Sequence, residues 1–331
     1  MISKSSLPLV LVTHRLPDGW LDRLSGRCQL LVGPKDAVQL APDLADHLGE
    51  AAGLYSLLTI RVDSTLLSRA PQLKVISNMA VGVDNIDLRA CTARGIPVGN
   101  TPGVLTDGTA DLTLAILLAA ARRLFEANAD ARQGLWKTWS PTGWLGKDLK
   151  GATLGIIGMG LIGVAVAERA AGFGMQIVFS DPNPDLETAQ RTGAQPVSLD
   201  ELLARSDFIT LHVPLTAETR GLVNETTLRK MKPSAMLINT SRGPVVDSGA
   251  LVKALQEGWI AGAALDVTDP EPLPSDHPLF HLTNCLVVPH IGSATWNTRR
   301  AMAERACENL LAGLEGRRLP SCANPEVYGD N

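Results

Sequence analysis

Short apolar runs separated by helix-period stretches recur along the whole chain. Residues 9–12 read as a strand, 17–24 as a helix, 54–58 as a strand, 63–69 as a helix, 73–77 as a strand and 86–93 as a helix. Strand–helix alternation of this kind predicts parallel sheets with crossover helices. The segment Gly99-Asn100-Thr101-Pro102-Gly103 breaks the pattern and is a candidate hinge. A long helix is expected from about 105 to 125. An irregular stretch follows at 134–150, holding three of the six tryptophans, Trp136, Trp139 and Trp144. Tryptophans in such a stretch need burial, either on the chain's own body or on an adjacent subunit. From Gly151 a second series begins, with strands expected at 208–213, 235–239, 261–265 and 285–288. A closing helical pattern from about Ala294 carries Arg299, Arg300 and Glu304 on its exposed face and could return to the first lobe. The fold class is α/β with two parallel-sheet domains.

The most informative stretch is Gly155-Ile156-Ile157-Gly158-Met159-Gly160-Leu161-Ile162-Gly163. An apolar strand runs into three glycines at the G-x-G-x-x-G spacing, and a helix pattern follows. Eighteen residues past Gly163, a second apolar strand ends on Asp181. That is the layout of a dinucleotide site. Gly158 permits the tight turn, Gly160 lets a pyrophosphate approach the backbone, and Gly163 lets the helix pack on the strand. The pyrophosphate would sit on the unpaired N–H groups of the helix start. A carboxylate at Asp181 can accept a hydrogen bond from a ribose 2′-OH and repels a 2′-phosphate. The expected cofactor is therefore NAD(H) rather than NADP(H). The next cation, Arg191, lies too far along for an obvious phosphate clamp.

Composition narrows the classes further. The 331 residues are 45% hydrophobic and 19% charged, which suits two globular domains. The net charge of −4 gives no basic field for nucleic acid or anionic lipid. The longest apolar run, 112–121, is too short to span a bilayer and reads as a buried helix. Five scattered cysteines without C-x-x-C spacing read as reduced packing thiols of a cytoplasmic protein, with no metal site expected.

Three polar residues stand where strands of the second lobe end: Arg242 in Asn239-Thr240-Ser241-Arg242-Gly243, Glu271 in the 266–272 segment, and His290 in 287–292. In open α/β sheets, ligands bind outside the carboxyl ends of the strands. Together these residues supply what reduction of a 2-oxo acid requires. Hydride transfer builds negative charge on the ketone oxygen, and His is the natural proton donor near neutral pH. A carboxylate bonded to the ring orients it and favours its protonated form. A substrate carboxylate needs the planar two-donor partner that Arg provides. Asp266 ends a strand and could reach a nicotinamide carboxamide. Asp247 reads as the cap of a helix over 248–256, and Asp84 and Asp87 as the turn and cap before Leu88.

With these residues assembled, the chain resembles the D-isomer-specific 2-hydroxyacid dehydrogenases over nearly its whole length, most closely their glyoxylate/hydroxypyruvate reductase branch. The stretches that carry the resemblance are 79–84, 100–107, 155–163, 240–247, 265–272 and 289–295. It implies a flavodoxin-like substrate-binding domain made of 1–103 and 296–331, a Rossmann NAD-binding domain of 104–295, and a cleft between them. It carries the catalytic roles onto Arg242, Glu271 and His290. Substrate contacts fall on Val81, Gly82, Arg242, His290 and Trp139, with the backbone of Val81 and Gly82 holding a carboxylate. The resemblance implies cofactor contacts at Gly158, Gly160, Leu161, Ile162, Gly163, Asp181, Thr240, Asp266 and Gly292. Trp139 matches a tryptophan that in this branch reaches the partner subunit's site, which implies a homodimer with an exchanged arm at 134–150. The activity implied is NADH-dependent reduction of glyoxylate and hydroxypyruvate. Alternatives are reduction of another 2-oxo acid such as a 2-ketoaldonate, oxidation of phosphite, or an NAD-gated corepressor-like binding protein. Asp181 departs from the NADPH-preferring members of that branch, which lack an acid there.

Overall fold

The computed structural model describes residues 7–329. The chain divides into two compact units. One runs to Leu105 and resumes at Thr295, and the other is Thr106–Ala294.

The first unit is built on five parallel strands: β1 (Leu9–Val12), β2 (Gln29–Val32), β3 (Gly53–Ser56), β4 (Val75–Asn78) and β5 (Val98–Gly99). Their order, β2-β1-β3-β4-β5, is the flavodoxin-like one. β3 and β4 are buried along their whole length, as strands covered on both faces must be. One face carries a cluster around Leu11, Leu54, Leu67 and Ile76. The other receives the closing helix, Trp296–Leu314, capped by Thr295. Gly313 sits so close to β4 that a Cβ there would lie 2.4 Å from Val75. Ser77 Oγ donates to the Ala306 carbonyl at 2.7 Å, and Asn309 Nδ2 donates to that of Asn100 at 2.9 Å. On this helix Glu304 is half-buried rather than exposed, because it pairs with Arg23 as well as with Arg300.

The second unit has seven parallel strands: β6 (Thr153–Ile157), β7 (Gln176–Ser180), β8 (Gln195–Pro196), β9 (Phe208–Leu211), β10 (Met236–Asn239), β11 (Gly262–Leu265) and β12 (Cys285–Val287). Their order, β12-β11-β10-β9-β6-β7-β8, reverses direction at the β6–β9 boundary, as in a Rossmann sheet. The helices Thr106–Ala121 and Leu161–Ala171 cover one face. Leu199–Arg205, Glu225–Leu228 and Ser248–Gln256 cover the other.

Two expected elements come out differently. The helix expected over 17–24 is a single tight turn, Asp22–Leu24, because Gly19 takes a positive φ of 82° and ends any run from Pro17. The helix expected over 105–125 breaks after Ala121. Arg123 adopts φ 51°, the Ala121 carbonyl accepts from Lys147 N at 2.8 Å, and a separate helix covers Leu124–Arg132. No helix among the described residues is long and apolar enough to cross a membrane.

Candidate active site

The glycine turn lies at the switch point of the second sheet. Gly158 takes φ 92°, and a Cβ on it would approach the His212 carbonyl oxygen, just past β9, to 2.8 Å. A Cβ on Gly163 would lie 2.2 Å from the Gly158 carbonyl oxygen. The protein's own packing therefore explains both glycines. It does not explain Gly160, where a Cβ would meet nothing within 4 Å. Gly160 is the N-cap of Leu161–Ala171, and no side chain caps that helix. Leu161 is exposed and Ile162 half-buried. A helix start with open space before it and no capping side chain fits a dinucleotide pyrophosphate. Asp181 follows β7 directly. One of its oxygens accepts from Met159 N at 2.8 Å, inside the turn, and the other from Asn183 N at 2.9 Å.

The polar residues at the far strand ends form a connected group. His290 Nδ1 and Glu271 Oε1 are 2.5 Å apart. His290 has a left-handed backbone, φ 50°, uncommon for a residue with a Cβ. Asp266 holds it there. The Asp266 carbonyl accepts from His290 N at 2.9 Å, and its carboxylate accepts from Ile291 N at 2.6 Å and Gly292 N at 2.8 Å. A Cβ on Gly292 would crowd that carboxylate at 3.1 Å. Burial pushes the Asp266 carboxyl up from its ordinary value, and the two N–H groups act in the opposite direction.

Arg242 sits just past β10 on a turn tied by Asn239, whose Nδ2 donates to the Arg242 carbonyl at 2.9 Å. Asn239 Oδ1 accepts from both the N–H and the hydroxyl of Ser241. Arg242 Nη1 donates to the Ser241 carbonyl at 2.8 Å. The next residue, Gly243, abuts the loop that carries Glu271, and a Cβ there would fall 1.8 Å from the Thr268 carbonyl oxygen. Thr240 Oγ1 and Thr113 Oγ1 are 2.9 Å apart.

Val81 and Gly82 belong to the first unit, on the segment after β4. Their carbonyls accept from Asn100 Nδ2 at 2.9 Å and Asn78 Nδ2 at 3.0 Å. Trp139 lies in the irregular stretch of the second unit. Between Arg132 and Thr153 there is no helix or strand. Trp136 and Trp139 are 74% and 79% exposed, so neither is buried on the chain's own body. Trp144 lies under the Arg123 guanidinium, 4.8 Å from its ring centre.

Residues 114–292 match the family model for the D-isomer specific 2-hydroxyacid dehydrogenase, NAD binding domain. The chain is 47% identical over 321 residues to a glyoxylate reductase of Korarchaeum cryptofilum, covering 97% of each chain. The chain belongs to the D-isomer-specific 2-hydroxyacid dehydrogenase family. Among solved structures, a Thermus thermophilus protein superposes with a TM-score of 0.89 at 50% identity, covering 95% of this chain and 99% of that one. An NADPH-dependent glyoxylate/hydroxypyruvate reductase of Sinorhizobium meliloti, in complex with NADP and malonate, gives 0.83 at 33% identity, covering 97% and 98%.

Sequence reasoning passed over several residues on which this dehydrogenase's site depends. Asn239 fixes the Arg242 turn, and Thr268 and Ser248 bear on the Glu271 loop. Gly243 stood out beside Arg242 as a place for close approach of ligands, and the structure has its missing Cβ making room for the Thr268 carbonyl; nothing local marks Ser248. His212 was also missed. Its Nε2 is 2.8 Å from Thr210 Oγ1, while its Nδ1 is sealed from solvent without a hydrogen-bond partner. Burial lowers its pKa to about 3.

This native neutrality has a stability consequence. Unfolded His takes up a proton below about 6.5, whereas folded His212 resists until about 3. Its contribution is therefore present above about 6.5 and is lost as the pH falls below it. Replacing His212 with Asn should flatten the acid loss of unfolding free energy by up to about 1.4 kcal/mol per pH unit. Denaturant titrations at several pH values between those limits check this, and identical slopes in the two proteins would refute it.

Proposed function

We propose that this dehydrogenase reduces glyoxylate and hydroxypyruvate, with NADH as the preferred cofactor. The observation that carries the reading is the His290–Glu271 pair, 2.5 Å apart, with Glu271 on the loop that abuts the Arg242 turn. The similarity to named glyoxylate reductases supports the substrate class. When bound, a dihydronicotinamide would be the hydride source for the substrate's carbonyl carbon. His290 then gives its proton to the oxygen on which charge develops. Because Nδ1 is engaged by Glu271, that proton leaves from Nε2. Glu271, against Nδ1, orients the ring. Arg242 binds the substrate carboxylate or carbonyl through its planar donors.

Asp181 supports NADH over NADPH, since a carboxylate at the strand end favours a ribose diol over a 2′-phosphate. The Sinorhizobium meliloti relative is NADPH-dependent, so membership of the family does not decide the cofactor and the reading rests on Asp181 alone. We also infer a homodimer. Leu135, Trp136, Trp139 and Leu145 form an exposed apolar arm that a second copy would cover.

Replacing His290 with Ala should lower kcat with glyoxylate by about 10²- to 10⁴-fold. A spectrophotometric assay over glyoxylate, hydroxypyruvate and pyruvate checks both the acid and the substrate class, and an unchanged kcat would remove His290 from the chemistry. In the same assay kcat/KM should favour NADH by on the order of tenfold or more, with Asp181→Asn moving the ratio toward NADPH. A wild-type preference for NADPH would contradict this reading. Light scattering should give twice the 35.1 kDa chain mass. Trp139→Ala should lower activity, and a fully active monomer would dismiss the exchanged arm.

A further inference from the structure

The Glu271 carboxylate works only if its loop keeps it against His290, and that loop is poor in means of holding itself. Two of its residues, Pro270 and Pro272, have no N–H to donate. Internally, Thr268 Oγ1 donates to the Pro270 carbonyl at 2.8 Å, and Thr268 N reaches Glu271 Oε2 only at 3.4 Å. A further tether, as short as the first of these, comes from another element. Ser248 Oγ donates to the Asp269 carbonyl at 2.8 Å, two residues before Glu271.

Ser248 opens the helix Ser248–Gln256, and that helix does not need its hydroxyl as a cap. Asp247 is the N-cap and accepts from Ala250 N at 2.9 Å. The helix start is itself fixed, because Asp247 N donates to the Val223 carbonyl at 2.8 Å and Val223 N to that of Val245 at 3.0 Å. Those bonds anchor the segment that runs on from Arg242. The Ser248 hydroxyl thus spans from the Arg242 segment to the Glu271 loop, beside the contact that Gly243 makes with Thr268.

We propose that Ser248 is a positioning residue for the reaction: its hydroxyl, through the Asp269 carbonyl, holds the Glu271 loop in register with the Arg242 turn and so keeps the Glu271 carboxylate aligned on His290. The inference rests on the reductase reading given above. Ser248 touches neither substrate nor cofactor in this account. Its loss should therefore act on proton delivery and leave cofactor binding alone.

The test compares Ser248→Ala, Ser248→Thr and Glu271→Gln in the full-length protein with NADH and glyoxylate. One neutral hydrogen bond is worth about a factor of five in an equilibrium. Ser248→Ala should lower kcat by about that factor, with the KM for NADH unchanged, and Ser248→Thr should restore it. A second readout does not depend on turnover. The short His290–Glu271 bond should give a far-downfield proton resonance that is absent in Glu271→Gln. It should move upfield in Ser248→Ala and return in Ser248→Thr. If Ser248→Ala does not fold, Ser248→Thr against the isosteric Ser248→Val gives the same comparison, differing only in the hydroxyl. An unchanged kcat and resonance in the hydroxyl-less variant, with both altered in Glu271→Gln, would overturn the positioning role and leave the reductase reading standing. If Glu271→Gln itself leaves kcat unchanged, the reading of the pair falls and this inference falls with it.

Discussion

A buried aspartate that grips three consecutive residues, two through its carboxylate and one through its main-chain carbonyl, is the constraint on which the candidate site depends. Asp266 is 2% exposed, and its ordinary fate in such a place would be protonation or an opposite charge. Instead it spends its charge on the backbone N–H groups of Ile291 and Gly292, while its own carbonyl takes the N–H of His290. A left-handed backbone at a residue with a Cβ costs on the order of 1–3 kcal/mol and persists only where the surroundings over-determine it. Here they do. The result is an imidazole set by backbone geometry from one side and by Glu271 from the other, so little reorganisation is left for the moment of reaction.

The same economy runs through the rest of the second unit. Asn239 spends both ends of its amide on the Arg242 turn. Gly243 has no Cβ because Thr268 already occupies that space. Gly158 and Gly163 likewise answer to neighbours inside the protein, and of the three only Gly160 faces open space. The polar residues that reach outward are positioned by others that do not.

How much of this was legible in the chain follows from the range of the interactions involved. Helix caps are local, so Asp247 could be assigned from its neighbours, and the structure has its carboxylate accepting from Ala250 N. The glycine turn is local too, and so are strands whose apolar runs end in a polar residue. The break at Arg123 was not legible, because what stops the helix is Lys147 donating to Ala121 from 26 residues away along the chain. Strand β2 escaped notice for a different reason: its apolar run, Leu30-Leu31-Val32, is only three residues long and carries no periodicity of its own. Ser248 looks like any small residue at a helix start, and only the approach of the Asp269 carbonyl from a different loop gives its hydroxyl a task. The exposed tryptophans mark the opposite limit. The sequence left their burial open between the chain's own body and a second subunit, and the fold excludes the first for Trp136 and Trp139.

Asp181 joins the cofactor question to the stability of the turn. On the cofactor reading proposed above its carboxylate would read a ribose diol, and one of its oxygens already accepts from Met159 N within the glycine turn and the other from Asn183 N. A residue chosen only to exclude a 2′-phosphate could be exchanged freely for a neutral one. Here the exchange has a further effect, because losing both carboxylate oxygens also releases the Met159 N–H of the glycine turn. Leaving such a donor unsatisfied costs about 1–3 kcal/mol if it is buried. Adapting this chain to NADPH therefore asks for more than added positive charge. It asks for a replacement that still accepts from Met159, and that requirement follows from the geometry of the turn.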